Sequence, residues 1–338
     1  MTDDPLAGGD PRIATETYEP ADTETVIEGG GRVSLNRDIA EVPQPLRPMA
    51  LGEFLALEIP ERKMLLGPII AEQAIAMLFG PRGCGKTHVA LGIGLAVATG
   101  TDFLRWQAPA PRRVLYIDGE MPAAALKERL EAATGRVVNP GQARQNLKIL
   151  AADVRRDGLP DLSTPAGRKA FAPILDGFDL LILDNISTLC RSGKENEAEG
   201  WGDLQGWALE QRRAGRSVLF LHHAGKGGDQ RGTSKREDVM DTVMRMALPS
   251  DYDAKQGARF ILDYTKARGM FGEAAESFEA SMCDGVWTVR AATSARDEQI
   301  IALETEGCTQ REIADEVGCG LATVNRVLKR REAVACGG

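Results

Sequence analysis

The residue types and spacings that could do chemistry are concentrated in one loop. Gly80, Pro81, Arg82, Gly83, Cys84, Gly85, Lys86 and Thr87 complete a G-x-x-x-x-G-K-[ST] pattern, and His88 follows directly. Glycines here let backbone N–H groups close around a β-phosphate, Lys86 neutralises phosphate charge, and Thr87 offers a hydroxyl to Mg²⁺. A helix starting at the end of the loop adds its positive dipole end. The predicted chemistry is binding of ATP with Mg²⁺.

Further polar groups end otherwise apolar runs. Asp184 closes DLLILD, where a carboxylate can hold Mg²⁺ directly or through water. His222 and His223, two of the three histidines, close VLFLHH, and one of them is expected to sense the γ-phosphate. The Gly-rich stretch behind them carries Lys226, Arg231, Lys235 and Arg236 beside Asp229, Glu237 and Asp238. That composition suits a DNA-touching loop and a solvated surface loop equally.

Positioning these groups requires a particular architecture. Ala74 to Phe79, Val114 to Asp118, Leu147 to Leu150, Asp179 to Asp184 and Val218 to His223 read as strands, several of them continuous apolar runs. Helical patterns separate them: one from His88 to about Gly100, one opened by Pro122 with Ala125, Leu126 and Leu130, and one over residues 166–175. Alternation of this kind predicts an α/β fold whose mostly parallel sheet is covered on both faces, with ligands at the C-terminal ends of the strands. Arg259 to Tyr264 and Gly285 to Val289 are expected to finish the sheet, with Lys266, Arg268 and Gly269 in the connection between them.

Charge divides unevenly along the 338 residues. Residues 1–50 hold ten acidic side chains against four arginines, a net −6 of the chain's −8, so the remainder is close to neutral. Overall acidity therefore does not exclude nucleic acid, which is bound by local basic patches. Residues 1–45 are rich in Gly, Pro, Thr and acids without an apolar period, and are expected to be a disordered acidic tail. The six cysteines form no C-x-x-C pair, which suggests reduced thiols rather than disulfides or zinc. No apolar run approaches the roughly 20 residues of a membrane span, and no basic-then-apolar leader opens the chain, so a soluble cytoplasmic protein is expected.

Four blocks in order, FGPRGCGKT, VLYIDGEMP, LLILDN and FLHHAGKGGDQRGTS, together with YTKARG, resemble the RepA family of plasmid-replication helicases among the RecA/DnaB-like hexameric ATPases. The resemblance covers about residues 60–290 and implies a RecA-like P-loop core, assembled as a hexameric ring with ATP between subunits. It further implies that Glu120 polarises the attacking water, with Asp118 as the alternative. Lys266 and Arg268 resemble a K-x-R pair inserted into the neighbour's site; two cations there would stabilise transition-state charge on the γ-phosphate. Read without the resemblance, the pair is a basic hairpin turn.

From Ala295 the pattern changes to short helices. GCTQREIADEVGCGLATVNRVL resembles the helix-turn-helix of resolvase and sigma-factor type regulators. Thr309 and Glu312 have capping-box spacing, and Thr323, Asn325, Arg326, Lys329 and Arg330 are expected to face outward towards DNA. The other reading is a helical bundle for subunit contacts. The expected organisation is a tail (1–45), a RecA-like ATPase domain (46–292) and a helix-turn-helix domain (293–338). The expected function is an ATP-driven DNA helicase or translocase acting on single-stranded and, through the last domain, duplex DNA. An ATP-switched DNA-binding regulator and a loader of another protein are the competing readings.

Overall fold

The computed structural model describes residues 47–191, 198–224, 237–249, 251–292, 295–317 and 319–335, with backbone only at 198–200, 295–296, 298, 330 and 332–335. The acidic tail expected over 1–45 therefore lies outside the described residues.

After a short helix α1 (Leu51–Leu55), β1 (Met64–Leu66) and β2 (Ile70–Ala71) form a two-stranded antiparallel ribbon before the main sheet begins. β3 (Ile75–Gly80) runs into the loop and α2 (Lys86–Thr99). A second ribbon, β4 (Asp102–Phe103) and β5 (Trp106–Gln107), precedes β6 (Val114–Asp118), α3 (Ala123–Thr134), α4 (Pro140–Asn146) and β7 (Leu147–Ala151). Then come α5 (Pro165–Phe171), β8 (Leu180–Asp184), α6 (Ile186–Leu189), α7 (Ala198–Arg213) and β9 (Ser217–His223). The sheet ends with β10 (Thr242–Ala247), β11 (Arg259–Ala267), β12 (Phe278–Cys283) and β13 (Val286–Ala291).

Nine strands form one sheet in the order β13-β12-β11-β10-β3-β9-β8-β6-β7. From β10 to β7 every pairing is parallel, whereas β10-β11, β11-β12 and β12-β13 are antiparallel. The expected α/β class with a mostly parallel sheet is what forms. Every residue of β3, β6, β8 and β9 is buried, which is why these strands read as apolar runs.

Strand parity sorts the two cores. Ala76, Leu78, Tyr116, Ile182, Leu219 and Leu221 pack with α2, and Met77, Phe79, Ile117, Leu183, Val218 and Phe220 pack with α7. Helix α2 is central, and 11 of its 14 residues are buried.

Two expectations need correction. Lys266 is not in a connection: β11 continues to Ala267 and Lys266 pairs with Val243 of β10. β10 and β12 were not anticipated, because TVMRMA and FEASMC carry a charge within the strand and lack a long apolar run.

Beyond the sheet, α8 (Ala295–Thr305), α9 (Gln310–Val317) and α10 (Leu321–Ala335) gather a separate small core of Ile300, Ile313, Ala314, Val324 and Val327. Thr309 Oγ1 accepts from the Glu312 N–H (3.4 Å), and the Glu312 carboxylate accepts from the Thr309 N–H (2.8 Å), closing the capping box at the start of α9.

Candidate active site

The loop between β3 and α2 is shaped by backbone that only glycine adopts freely. Gly83 and Gly85 have φ of 79° and 96°. Inside the turn the Lys86 ammonium donates to the carbonyls of Gly80 (3.0 Å) and Pro81 (2.7 Å), and burial pushes its pKa below the usual lysine range. The cation is held at the loop by acceptors that a phosphate can replace.

β6 and β8 are neighbours in register, with Asp118 opposite Asp184, so two carboxylates reach the same edge. Asp184 Oδ2 accepts from Thr87 Oγ1 (2.8 Å) and from the phenol of Tyr116 (2.6 Å). Burial raises the Asp184 pKa and pushes that of Tyr116 well above the usual phenol range, so the phenol stays protonated and donating. Asp118 Oδ1 accepts from the N–H groups of Met121 (2.9 Å) and Glu120 (3.3 Å), which fixes the turn out of β6. Its pKa is raised by burial to about 6.

Past that turn, the half-exposed Glu120 side chain accepts from the amide of Asn185, and its Oε2 lies 3.5 Å from Nε2 of His223. Asn185 Nδ2 is also 3.2 Å from that imidazole nitrogen. If the amide donates to both Glu120 and His223, the neutral imidazole carries its proton on Nδ1. Burial, and then the Lys86 charge, lower the His223 pKa, which keeps the ring neutral. Asp118 Oδ2, Asn185 Oδ1 and His223 Nδ1 are all buried without a hydrogen-bond partner among the described residues. Buried polar atoms are rarely left so, and three at one strand edge fit a site that takes a polar ligand.

The AAA_25 family, described as an AAA domain, matches residues 41–229. The chain belongs to this family. With the loop and carboxylates above, it is a P-loop ATPase. Among solved structures, this AAA protein is similar to a KaiC-like protein from the hyperthermophilic archaeon Pyrococcus horikoshii OT3, at 14% identity and a TM-score of 0.49, over 68% of this chain and 99% of that one. It is also similar to the RadB recombinase, at 14% identity and a TM-score of 0.43, over 65% of this chain and 91% of that one.

In the AAA domain the predicted residues separate into groups. Lys86, Thr87, Asp184 and Glu120 come together at the C-terminal edge of the parallel strands. His223 joins them; His222 is fully buried and shares the parity of Val218 and Phe220, which pack with α7. Cys84 is buried and its thiol pKa is raised by burial, while Arg82 is exposed. His88 is half-buried on α2, its pKa lowered by burial and then by Arg129.

Lys266 and Arg268 lie at the opposite edge. Lys266 Nζ donates to the carbonyls of Glu237 and Asp238, and Arg268 Nη2 donates to that of Asp238 (3.3 Å). The Arg268 N–H donates to Asp241, whose own N–H donates to Ile75 at the start of β3. Lys226, Arg231 and Lys235 lie outside the described residues, as does the side chain of Arg330. On α10, Arg326 and Lys329 are exposed, whereas Thr323 and Asn325 are half-buried.

Two site residues escaped the sequence reading. Tyr116 and Asn185 sit inside VLYID and LLILDN, and the available signal was parity: a hydroxyl two residues before Asp118 shares its face.

Among the described residues, no helix is long and apolar enough to cross a membrane.

Proposed function

We propose that this ATPase is a ring-forming DNA motor, a helicase or helicase-like translocase of plasmid, phage or other mobile-element replication. The observation that carries the reading is the position of Lys266 and Arg268. Arg268 lies level with Ile75 at the start of β3 and Lys266 level with Met77, about 17 Å and about 10 Å along the strand from Gly80, where the phosphate loop begins, at ~3.3 Å per residue. Cations at that edge serve a phosphate site by reaching a neighbouring subunit's. Supplied in trans, they make hydrolysis depend on assembly.

Within one subunit Glu120 orients the attacking water, and the buried Nδ1–H of His223 donates to the γ-phosphate. Thr87 Oγ1 and Asp184 Oδ2, 2.8 Å apart, are the groups that would hold Mg²⁺. When bound, the ion neutralises charge on the phosphate oxygens.

Residues 46–292 form the ATPase domain and 293–338 a helix-turn-helix domain that tethers duplex DNA through Thr323, Asn325, Arg326, Lys329 and Arg330. Lys226, Arg231 and Lys235 follow single-stranded DNA through its phosphates. What supports the duplex contact is the capped α9 followed by α10 with exposed Arg326 and Lys329.

The test is ATP hydrolysis with and without single-stranded DNA, for wild type and for wild type mixed with Lys86→Ala or Arg268→Ala subunits. Stimulation by DNA, with Arg268→Ala subunits silencing wild-type neighbours, supports the trans-acting ring. Hydrolysis that ignores DNA and scales linearly with active subunits leaves a nucleotide-switched DNA-binding protein instead.

A further inference from the structure

The site holds an amide to which the roles above assign no part. Asn185 follows Asp184 at the end of β8, opens α6 and is 1% exposed. Its side-chain nitrogen faces both Glu120 and Nε2 of His223, the latter at 3.2 Å, while its Oδ1 is buried without a hydrogen-bond partner among the described residues. A carboxylate only accepts, so the group set against Glu120 is the NH₂, which has one proton for each neighbour. An apolar side chain in the same volume would strand no carbonyl, so what this amide adds is the pair of bonds from its nitrogen.

Glu120 needs such a partner. Its backbone is already fixed: Asp118 Oδ1 accepts from the Glu120 N–H, and the Gly119 N–H donates to the Asp184 carbonyl (2.8 Å). A Cβ at Gly119 would fall 2.5 Å from Thr188 Oγ1, so only glycine brings this turn so near α6. The Glu120 side chain, by contrast, is 50% exposed, and a glutamate so placed keeps much of its rotamer freedom. The bond from Asn185 holds the carboxylate over the site, close enough for its charge to act on Lys86 and Asp184.

On its other side the amide meets the ring that senses the γ-phosphate in the reading above. His223 Nδ1 is buried and has no partner among the described residues. A phosphate oxygen that engages Nδ1 fixes the ring, Nε2 then fixes the amide, and the amide fixes Glu120. We infer that Asn185 is a positioning residue that couples sensor to base: through it, arrival of the γ-phosphate at His223 sets the Glu120 carboxylate where it polarises the attacking water. ADP, which has no γ-phosphate, leaves this chain of bonds unanchored at the histidine. The inference rests on the roles proposed above for Glu120 and His223.

The experiment is a double-mutant cycle on single-turnover ATP hydrolysis by the full chain, with equilibrium binding of ATP measured alongside and thermal melting as the control for folding. Asn185→Leu keeps the volume and removes both bonds, so a role in packing alone survives it; Asn185→Ala is the second probe. Each is expected to slow hydrolysis about 10- to 100-fold with ATP affinity within about twofold. Asn185→Leu combined with His223→Ala is expected to be no slower than the slower single variant, within about threefold, because each breaks the same chain of bonds. Rates that multiply instead, to about 10²–10⁴ below wild type, would make the two residues independent and overturn the inference while the roles of Glu120 and His223 stand. Faster hydrolysis by Asn185→Leu would also overturn it, by showing that the amide restrains the base. If Glu120→Gln and His223→Ala both turn over at the wild-type rate, the reading of the site falls and the inference falls with it.

Discussion

The two halves of the nine-stranded sheet are built on different principles. In the parallel half, β3, β9, β8 and β6 are buried on both faces, and their polar residues sit almost entirely at the C-terminal ends, where they converge on the phosphate loop. In the antiparallel half, charge runs along the strands. Arg245 pairs with Asp263 (2.8 Å), while Glu279 accepts from Arg259 (2.6 Å) and Arg290 (2.8 Å). One half concentrates its polar groups at a single edge and leaves several buried without partners; the other distributes them and pairs most, Arg245 Nε being a buried exception among the described residues. Unpartnered polar atoms are costly without a ligand, so the contrast separates a half poised to bind from one arranged to frame it.

The strongest way to sharpen that contrast is at Glu120. Glu120→Gln keeps size and hydrogen bonding but removes the basic oxygen; kcat is expected to fall by about 10²–10⁴ with nucleotide affinity nearly unchanged. Single-turnover hydrolysis alongside equilibrium binding measures the split. A smaller effect distinguishes the adjacent histidines. His223→Ala is expected to lower kcat about 10- to 100-fold through loss of the Nδ1–H donor, whereas His222→Ala lowers the melting temperature and leaves the kcat of folded protein within roughly twofold. An inverted result would assign the sensor to the residue on the α7 face and break the parity argument.

The same contrast explains what was legible in the sequence. Strands buried on both faces need apolar residues at every position, so IAMLFG, VLYID, LLILD and VLFLHH announce themselves, and the carboxylate or imidazole ending each run stands out. TVMRMA and FEASMC do not, since an arginine or glutamate that finds an ion-pair partner across the sheet interrupts the apolar run, and Lys266 looked like part of a turn because the expected strand ended at Tyr264. Asn185 acquires its partners only through the register that levels β6 with β8, and register between strands more than 60 residues apart is not local information. The choice between His222 and His223 lay closer to hand: Leu219, Leu221 and His223 share one parity, but which face meets α2 is a tertiary fact.

In the antiparallel half the expected effect is on stability. Glu279 is 5% exposed and bonded to two arginines, so Glu279→Ala leaves Arg259 with Asp251 and Gln256 as its remaining partners. The expected cost is about 2 kcal/mol, read by urea unfolding, with kcat per folded chain preserved. A loss of kcat without a loss of stability would instead give this half a part in the chemistry.

The smallest expected effect returns to the parallel edge and has a definite sign. Burial raises the Asp118 pKa from 3.8 to about 6, so the folded protein binds a proton over that interval that the unfolded chain has released. Stability from the protonated carboxyl is fully present below about pH 4 and is lost as pH rises through about 6. After allowance for solvent screening, the loss is about 1 kcal/mol. Asp118→Asn mimics the neutral form, so the difference in unfolding free energy between wild type and variant should change between pH 4 and 6 and level off above it. Wild type should lose ground to the variant as pH rises. A difference that moves the other way would mean that Asp118 is held as a carboxylate by the N–H groups of Glu120 and Met121, and that the turn, rather than burial, governs its proton.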